Sequence, residues 1–158
     1  MASDTASPGA DDELRGSAGA GGDEQRHRGR CLCGAVVYEL RGPLRDVLVC
    51  HCVECRRWGG HAAAMTAVPG DRLVFAENRG LRWVDSPDSE LHARRGFCGE
   101  CGSSLFWKAP ARETVSIAAG TLDGDPGIGT AGHIWTSQAG GYYELPDDGL
   151  PRHPRGAR

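Results

Sequence analysis

The chain has 158 residues and a formal net charge of −3. That length suits one domain, and the slightly acidic balance argues against a surface built for nucleic acid or another polyanion. Of 18 basic side chains only Lys108 is a lysine, a bias of the kind a GC-rich genome produces.

Residues 1–29 contain Met1 and Leu14 as their only large apolar side chains. Such a segment cannot bury enough apolar surface to offset the entropy of ordering, and it reads as a disordered tail. It has no apolar run of the kind a signal peptide needs, and no later stretch approaches the roughly 18 apolar residues of a membrane helix. The expectation is a cytoplasmic protein without membrane partners, in a reducing compartment that keeps thiols reduced. From residue 31 the texture becomes short apolar runs broken by Gly, Pro and Asp. Residues 35–40 read as a strand ended by Arg41-Gly42-Pro43, residues 47–49 as a second and residues 64–68 as a third. Residues 73–75 and 81–84 flank a turn at Asn78-Arg79-Gly80. Residues 91–97 and 105–107 flank Cys98 and Cys101, which places that pair at a hairpin tip. Residues 115–118 and 133–135 add two more strands. Only residues 54–58 suggest a helical turn, and the stretch after Pro146 is expected to pack only in part. Together these signals predict a mainly β chain of small coiled sheets tied together by metal.

Seven cysteines fall in three clusters: Cys31-x-Cys33, Cys50-x-Cys52-x-x-Cys55 and Cys98-x-x-Cys101. An odd count of closely spaced thiols suits a thiophilic metal better than disulfides. The arithmetic suggests four plus three: four thiolates close a tetrahedral zinc site, and three leave one position open for chemistry. Spacing alone does not say which cysteines share a metal. Cys52 and Cys55 could join Cys98 and Cys101 as a zinc ribbon, leaving Cys31, Cys33 and Cys50 spare. Alternatively Cys31, Cys33, Cys98 and Cys101 form the closed set.

The flanks carry more. Gly29-Arg30-Cys31-Leu32-Cys33-Gly34-Ala35-Val36, Cys50-His51-Cys52-Val53-Glu54-Cys55-Arg56-Arg57 and Phe97-Cys98-Gly99-Glu100-Cys101-Gly102-Ser103-Ser104-Leu105-Phe106 resemble the glutathione-dependent formaldehyde-activating enzyme family. That family also includes centromere protein V. Further matches are Ala119-Gly120-Thr121-Leu122-Asp123, His133-Ile134-Trp135 and Asp147-Asp148-Gly149-Leu150-Pro151. Where many relatives have Trp-Tyr before the last of these segments, this chain has Tyr142-Tyr143. The resemblance covers residues 30–154 as one zinc-binding domain, leaving residues 155–158 as a flexible end. It implies an Mss4-like fold of several small coiled β-sheets organised around two zinc ions per chain. Cys31, Cys33, Cys98 and Cys101 would hold a structural zinc, and Cys50, Cys52 and Cys55 an open, catalytic one. The implied activity is that of a carbon–sulfur lyase resembling S-(hydroxymethyl)glutathione synthase. Its partners would be glutathione or another small thiol, and formaldehyde or another aldehyde.

Around the open set, His51 lies between two proposed ligands, so its side chain points away from their metal. His61 follows Trp58-Gly59-Gly60 and could shuttle a proton. His133 reads as a hydrogen-bonded strand residue, and His27, His92 and His153 as solvated. Arg56 could clamp a substrate carboxylate or, with Arg57, sit solvated; Arg94 and Arg95 carry the same ambiguity. Trp58 is the expected pocket wall, whereas Trp83, Trp107 and Trp135 read as core. A noncatalytic zinc-stabilised binding module, like the chromatin-associated branch of the family, is the rival reading. It would call for a long basic extension. Here Asp4, Asp11, Asp12, Glu13, Asp23 and Glu24 outnumber Arg15, Arg26 and Arg28.

Overall fold

The computed structural model describes residues 25–87 and 89–156; most of the expected tail, residues 1–24, lies outside them. The strands are β1 (Arg26–Arg30), β2 (Val37–Arg41), β3 (Val47–Cys50), β4 (Ala63–Pro69), β5 (Leu73–Glu77), β6 (Leu81–Asp85), β7 (Arg94–Cys98), β8 (Ser104–Lys108), β9 (Thr114–Ala118) and β10 (Thr130–Ile134). One short helix, α1 (Val53–Gly59), interrupts them. The fold is mainly β and of the Mss4-like type. Its strands form a three-stranded sheet in the order β1-β2-β5 and a seven-stranded sheet in the order β10-β3-β4-β9-β8-β7-β6. Every pairing is antiparallel except β10 on β3.

The two sheets meet over one apolar core. Tyr38 and Leu40 from the small sheet pack with Val68, Leu105, Phe106, Val115 and Ile117 from the large one, all fully or nearly fully buried. Phe106 is the hub. Its ring meets the edge of Tyr38 at 5.1 Å and of Phe75 at 5.7 Å, and stacks on Trp83 at 6.1 Å. Gly96 lies opposite Phe106 in the β7–β8 register, and a Cβ there would meet the Phe106 ring at 3.0 Å. A side chain at this position would press on the aromatic packing.

Three expectations change. Residues 26–29, placed in the tail by their composition, form β1 with Arg30 and pair along β2. This strand escapes an apolar pattern because Gly29, its buried position, makes room for the Tyr38 ring, which a Cβ would approach to 2.4 Å. Trp83 packs against the core, but Trp107 and Trp135 are half-buried outside it. Finally, residues after Pro146 lie along β10: His133 N–H donates to the Pro151 carbonyl and His153 N–H to the His133 carbonyl, both at 2.8 Å. The Trp135 N–H also reaches the Arg155 carbonyl at 3.0 Å. No helix among the described residues is long and apolar enough to cross a membrane.

Phe106→Ala should cost about 3–5 kcal/mol, read as a shift of the denaturant midpoint with metal held saturating. A cost below about 1 kcal/mol would deny Phe106 its place as hub.

Candidate metal centres

The first cluster joins segments distant in sequence. Cys31 and Cys33 sit on the turn between β1 and β2, and Cys98 and Cys101 at the tip of the β7–β8 hairpin. All four sulfurs lie within 4.8 Å of one another. The Cys31–Cys33 and Cys33–Cys98 sulfur distances are 3.6 and 3.7 Å. A tetrahedral zinc with sulfur at 2.3 Å sets its ligands about 3.8 Å apart, so the donor set fits that ion. Gly34 and Gly102, at φ 80° and 79°, turn the two loops back on themselves. Ser103 ties the loops together, accepting from the Leu32 N–H at 3.0 Å and touching the Cys101 sulfur at 3.2 Å. That hydroxyl is the leading cause that lowers the Cys101 thiol to about 5. The ribbon arrangement of Cys52 and Cys55 with Cys98 and Cys101 is not what the fold assembles.

The second cluster is local. Cys50 ends β3, Cys52 caps α1 by accepting from the Cys55 N–H, and Cys55 lies one turn on, buried. Their sulfurs also lie within 4.8 Å of one another, and among the described residues no fourth histidine, cysteine or carboxylate joins them. The three thiols are unequal. Hydrogen bonds from Cys50 and then Cys55 hold Cys52 far below the usual thiol range. The same contacts, with burial, push Cys50 far above it. A metal would take all three as thiolates, so loading the full set must release protons. This three-sulfur group could hold a metal and leave one side open.

Two settings surround it. On one side Arg95 is 7% exposed, with Nη1 and Nη2 each 3.9 Å from the Cys55 sulfur. Beside it a cleft of about 220 Å³ opens between α1 and the end of β6, lined by Glu54, Arg57, Trp58 and Ser86 among others. Trp58 is held in that wall by its indole N–H on Ser104 Oγ at 2.6 Å. On the other side runs a chain of polar contacts: Tyr143 hydroxyl to His51 Nδ1 at 2.6 Å, His51 Nε2 to His133 Nδ1 at 3.0 Å, and His133 Nε2 to Asp148 Oδ2 at 3.0 Å. The carboxylate can only accept, which fixes every tautomer when both imidazoles are neutral. His133 donates to Asp148, His51 donates to His133, and Tyr143 donates to His51. Burial, with His133 and His61 nearby, lowers the His51 pKa.

A crystal structure of a Rhodobacter sphaeroides protein superimposes with a TM-score of 0.52 at 24% identity, covering 68% of this chain and 99% of that one; the likeness supports the fold. No curated protein matches the chain. The family of glutathione-dependent formaldehyde-activating enzymes matches residues 26–138. The chain belongs to this family.

Within the family match, the residues singled out from sequence fall in different places. Trp58 and Arg57 line the cleft, whereas Arg56 buries its Nε without a partner. His61 is exposed and packs edge-on against Tyr143 at 4.4 Å, away from the cleft lining. His51 is 2% exposed and hydrogen-bonded at both nitrogens, and His27 is half-buried. Arg94 pairs with Asp85 in solvent while Arg95 turns inward, an alternation that β7 imposes. Sequence reading quoted Tyr143, Asp148 and Ser103 within compared segments but gave none of them a role. Ser103 was within reach as a hydroxyl two residues beyond a cysteine; the other two act only through tertiary contact.

Asp148→Asn should speed amide exchange at His133 and His153 at neutral pH relative to Ile117. In the parent chain acid should have the same effect. The Asp148 carboxyl is held below its ordinary range, first by the His133 hydrogen bond. A depressed pKa gives stabilisation that is present above the unfolded value and lost as pH falls through the folded one. Equal exchange in both chains would remove Asp148 as the anchor of this segment.

Proposed function

We propose that the chain is a carbon–sulfur lyase that joins a small thiol to formaldehyde, or cleaves the adduct, at Cys50, Cys52 and Cys55. The observation that carries this reading is a three-sulfur group that no fourth ligand joins among the described residues, in a chain of this family. Cys31, Cys33, Cys98 and Cys101 would hold a second, structural zinc, so two ions would be bound per chain. Zinc at the open group would supply one thing, a lowered pKa for an incoming thiol. Three thiolates already donate heavily to any ion they hold, which favours thiol capture over hydrolysis. The reaction forms one S–C bond, and the thiol proton ends on the former carbonyl oxygen, so no oxidant or reductant is needed.

The protein's part is positioning. The backbone of α1 presents Cys52 and Cys55 on one turn, and Trp58 on the same helix walls a cleft that could take the body of the thiol. Glutathione is the default thiol and formaldehyde the default aldehyde. Another low-molecular-weight thiol fits the same chemistry.

Cys52→Ser should reduce thiol-dependent formaldehyde consumption by roughly 100-fold or more and lower bound zinc from two equivalents to one. Its circular dichroism should stay unchanged, because the four-sulfur cluster is untouched. Full turnover without metal at the open group would defeat the proposal. Colour in the purified protein would point to iron at the same thiolates.

A further inference from the structure

Arg95 is a buried cation with one carboxylate, Glu54, in ion-pair range. Its Nε donates to Ser86 Oγ at 2.7 Å, and its guanidinium lies over the Trp58 ring at 5.8 Å. Glu54 Oε2 stands 3.7 Å from Nη2, beyond hydrogen-bond reach. The remaining face, with both terminal nitrogens, is turned to the Cys55 sulfur at 3.9 Å. Buried charge persists where something opposite compensates it; here Glu54 supplies one partner at 3.7 Å and the Cys55 sulfur faces both terminal nitrogens. Three thiolates around a divalent cation carry a net −1, and an anionic fourth ligand raises this to −2. A neutral fourth ligand leaves it unchanged. A fixed positive charge beside Cys55 therefore lowers the energy of the anion-bound state more than that of the neutral-bound state.

We propose that Arg95 is the counter-charge of the Cys50–Cys52–Cys55 centre and makes its open position selective for anionic ligands, small thiolates above all. Arg95 is a positioning residue in this scheme, since its charge acts through Cys55. Glu54 is the opposing carboxylate that moderates it, and Ser86 and Trp58 fix the guanidinium plane so that both terminal nitrogens stay on the sulfur. The cleft beside α1 shares Arg95 and Glu54 in its wall, so a ligand body lying there would touch the residues that set the charge. This inference rests on the open group holding a metal and taking a thiol, as proposed above.

The test uses the full chain loaded with cobalt(II) at fixed pH, titrated in turn with 2-mercaptoethanol, azide and neutral imidazole and followed by cobalt absorption. Arg95→Met should weaken mercaptoethanol and azide binding by roughly tenfold or more and leave imidazole binding within about twofold. Arg95→Lys, which keeps the charge, should recover part of the anion binding. Glu54→Gln should shift anion binding the opposite way. A packing role alone would move all three ligands together and would not reverse sign at Glu54. Unchanged anion binding in Arg95→Met, a parallel loss for imidazole, or loss of cobalt itself from that variant would each overturn the proposal. If the parent chain bound azide but no thiol, the lyase reading would fall while the anion preference was still read from azide.

Discussion

Four cysteine sulfurs gathered within a few ångströms join the turn after β1 to a hairpin tip 65 residues further on. Leu32, between the first two cysteines, is 87% exposed, whereas Ala35 and Val36 at the end of the same turn are buried in the core. A metal held by these four sulfurs would add to that burial, since structural zinc contributes free energy directly to folding. The small sheet then lies over the large one, with Gly80 threading between them. Its N–H donates to the Ala35 carbonyl at 3.1 Å, and its carbonyl accepts from the Gly99 N–H at 2.7 Å. A Cβ at Gly80 would meet the Cys98 sulfur at 3.0 Å. The Tyr38–Phe106 core sits directly behind this junction.

The second cluster needs no such convergence, because three sulfurs within six residues can share one volume without help from the rest of the chain. What the fold adds is surroundings: a buried guanidinium on one flank and a directional chain of two imidazoles, a phenol and a carboxylate on the other. These two flanks differ in kind. The guanidinium brings fixed charge, while the polar chain brings orientation and ties the C-terminal residues to the backbone of β3 and β10.

The positions of most strands were readable because β-branched and aromatic residues alternate between Gly, Pro and Asp breaks, as in residues 35–40 and 64–68. Cysteine spacing with its flanks also pointed to the grouping of the sulfurs. Other features left no local trace. β1 is held by backbone pairing and by a glycine that yields space to Tyr38, so its polar composition resembled a tail. Arg94 and Arg95 are chemically identical neighbours, and only the inward turn of alternate β7 residues separates an exposed ion pair from a buried counter-charge. Tyr143 and Asp148 reach His51 and His133 across 92 and 15 positions. The first separation is beyond any local pattern, and the second depends on the segment after Pro146 folding back along β10.

The parallel pairing of β10 on β3 sets an order of events during synthesis. Cys98 and Cys101 leave the ribosome before residues 130–153, so the four-sulfur cluster can close on a nascent chain in which β3 is still an unpaired edge. Residues made later supply β10, Tyr143 and Asp148. The three-cysteine group at the end of β3 therefore exists early as donors but acquires its flanking chain later. A chain truncated before residue 130 would carry every cysteine and yet expose the edge beside Cys50, a template for pairing with another copy.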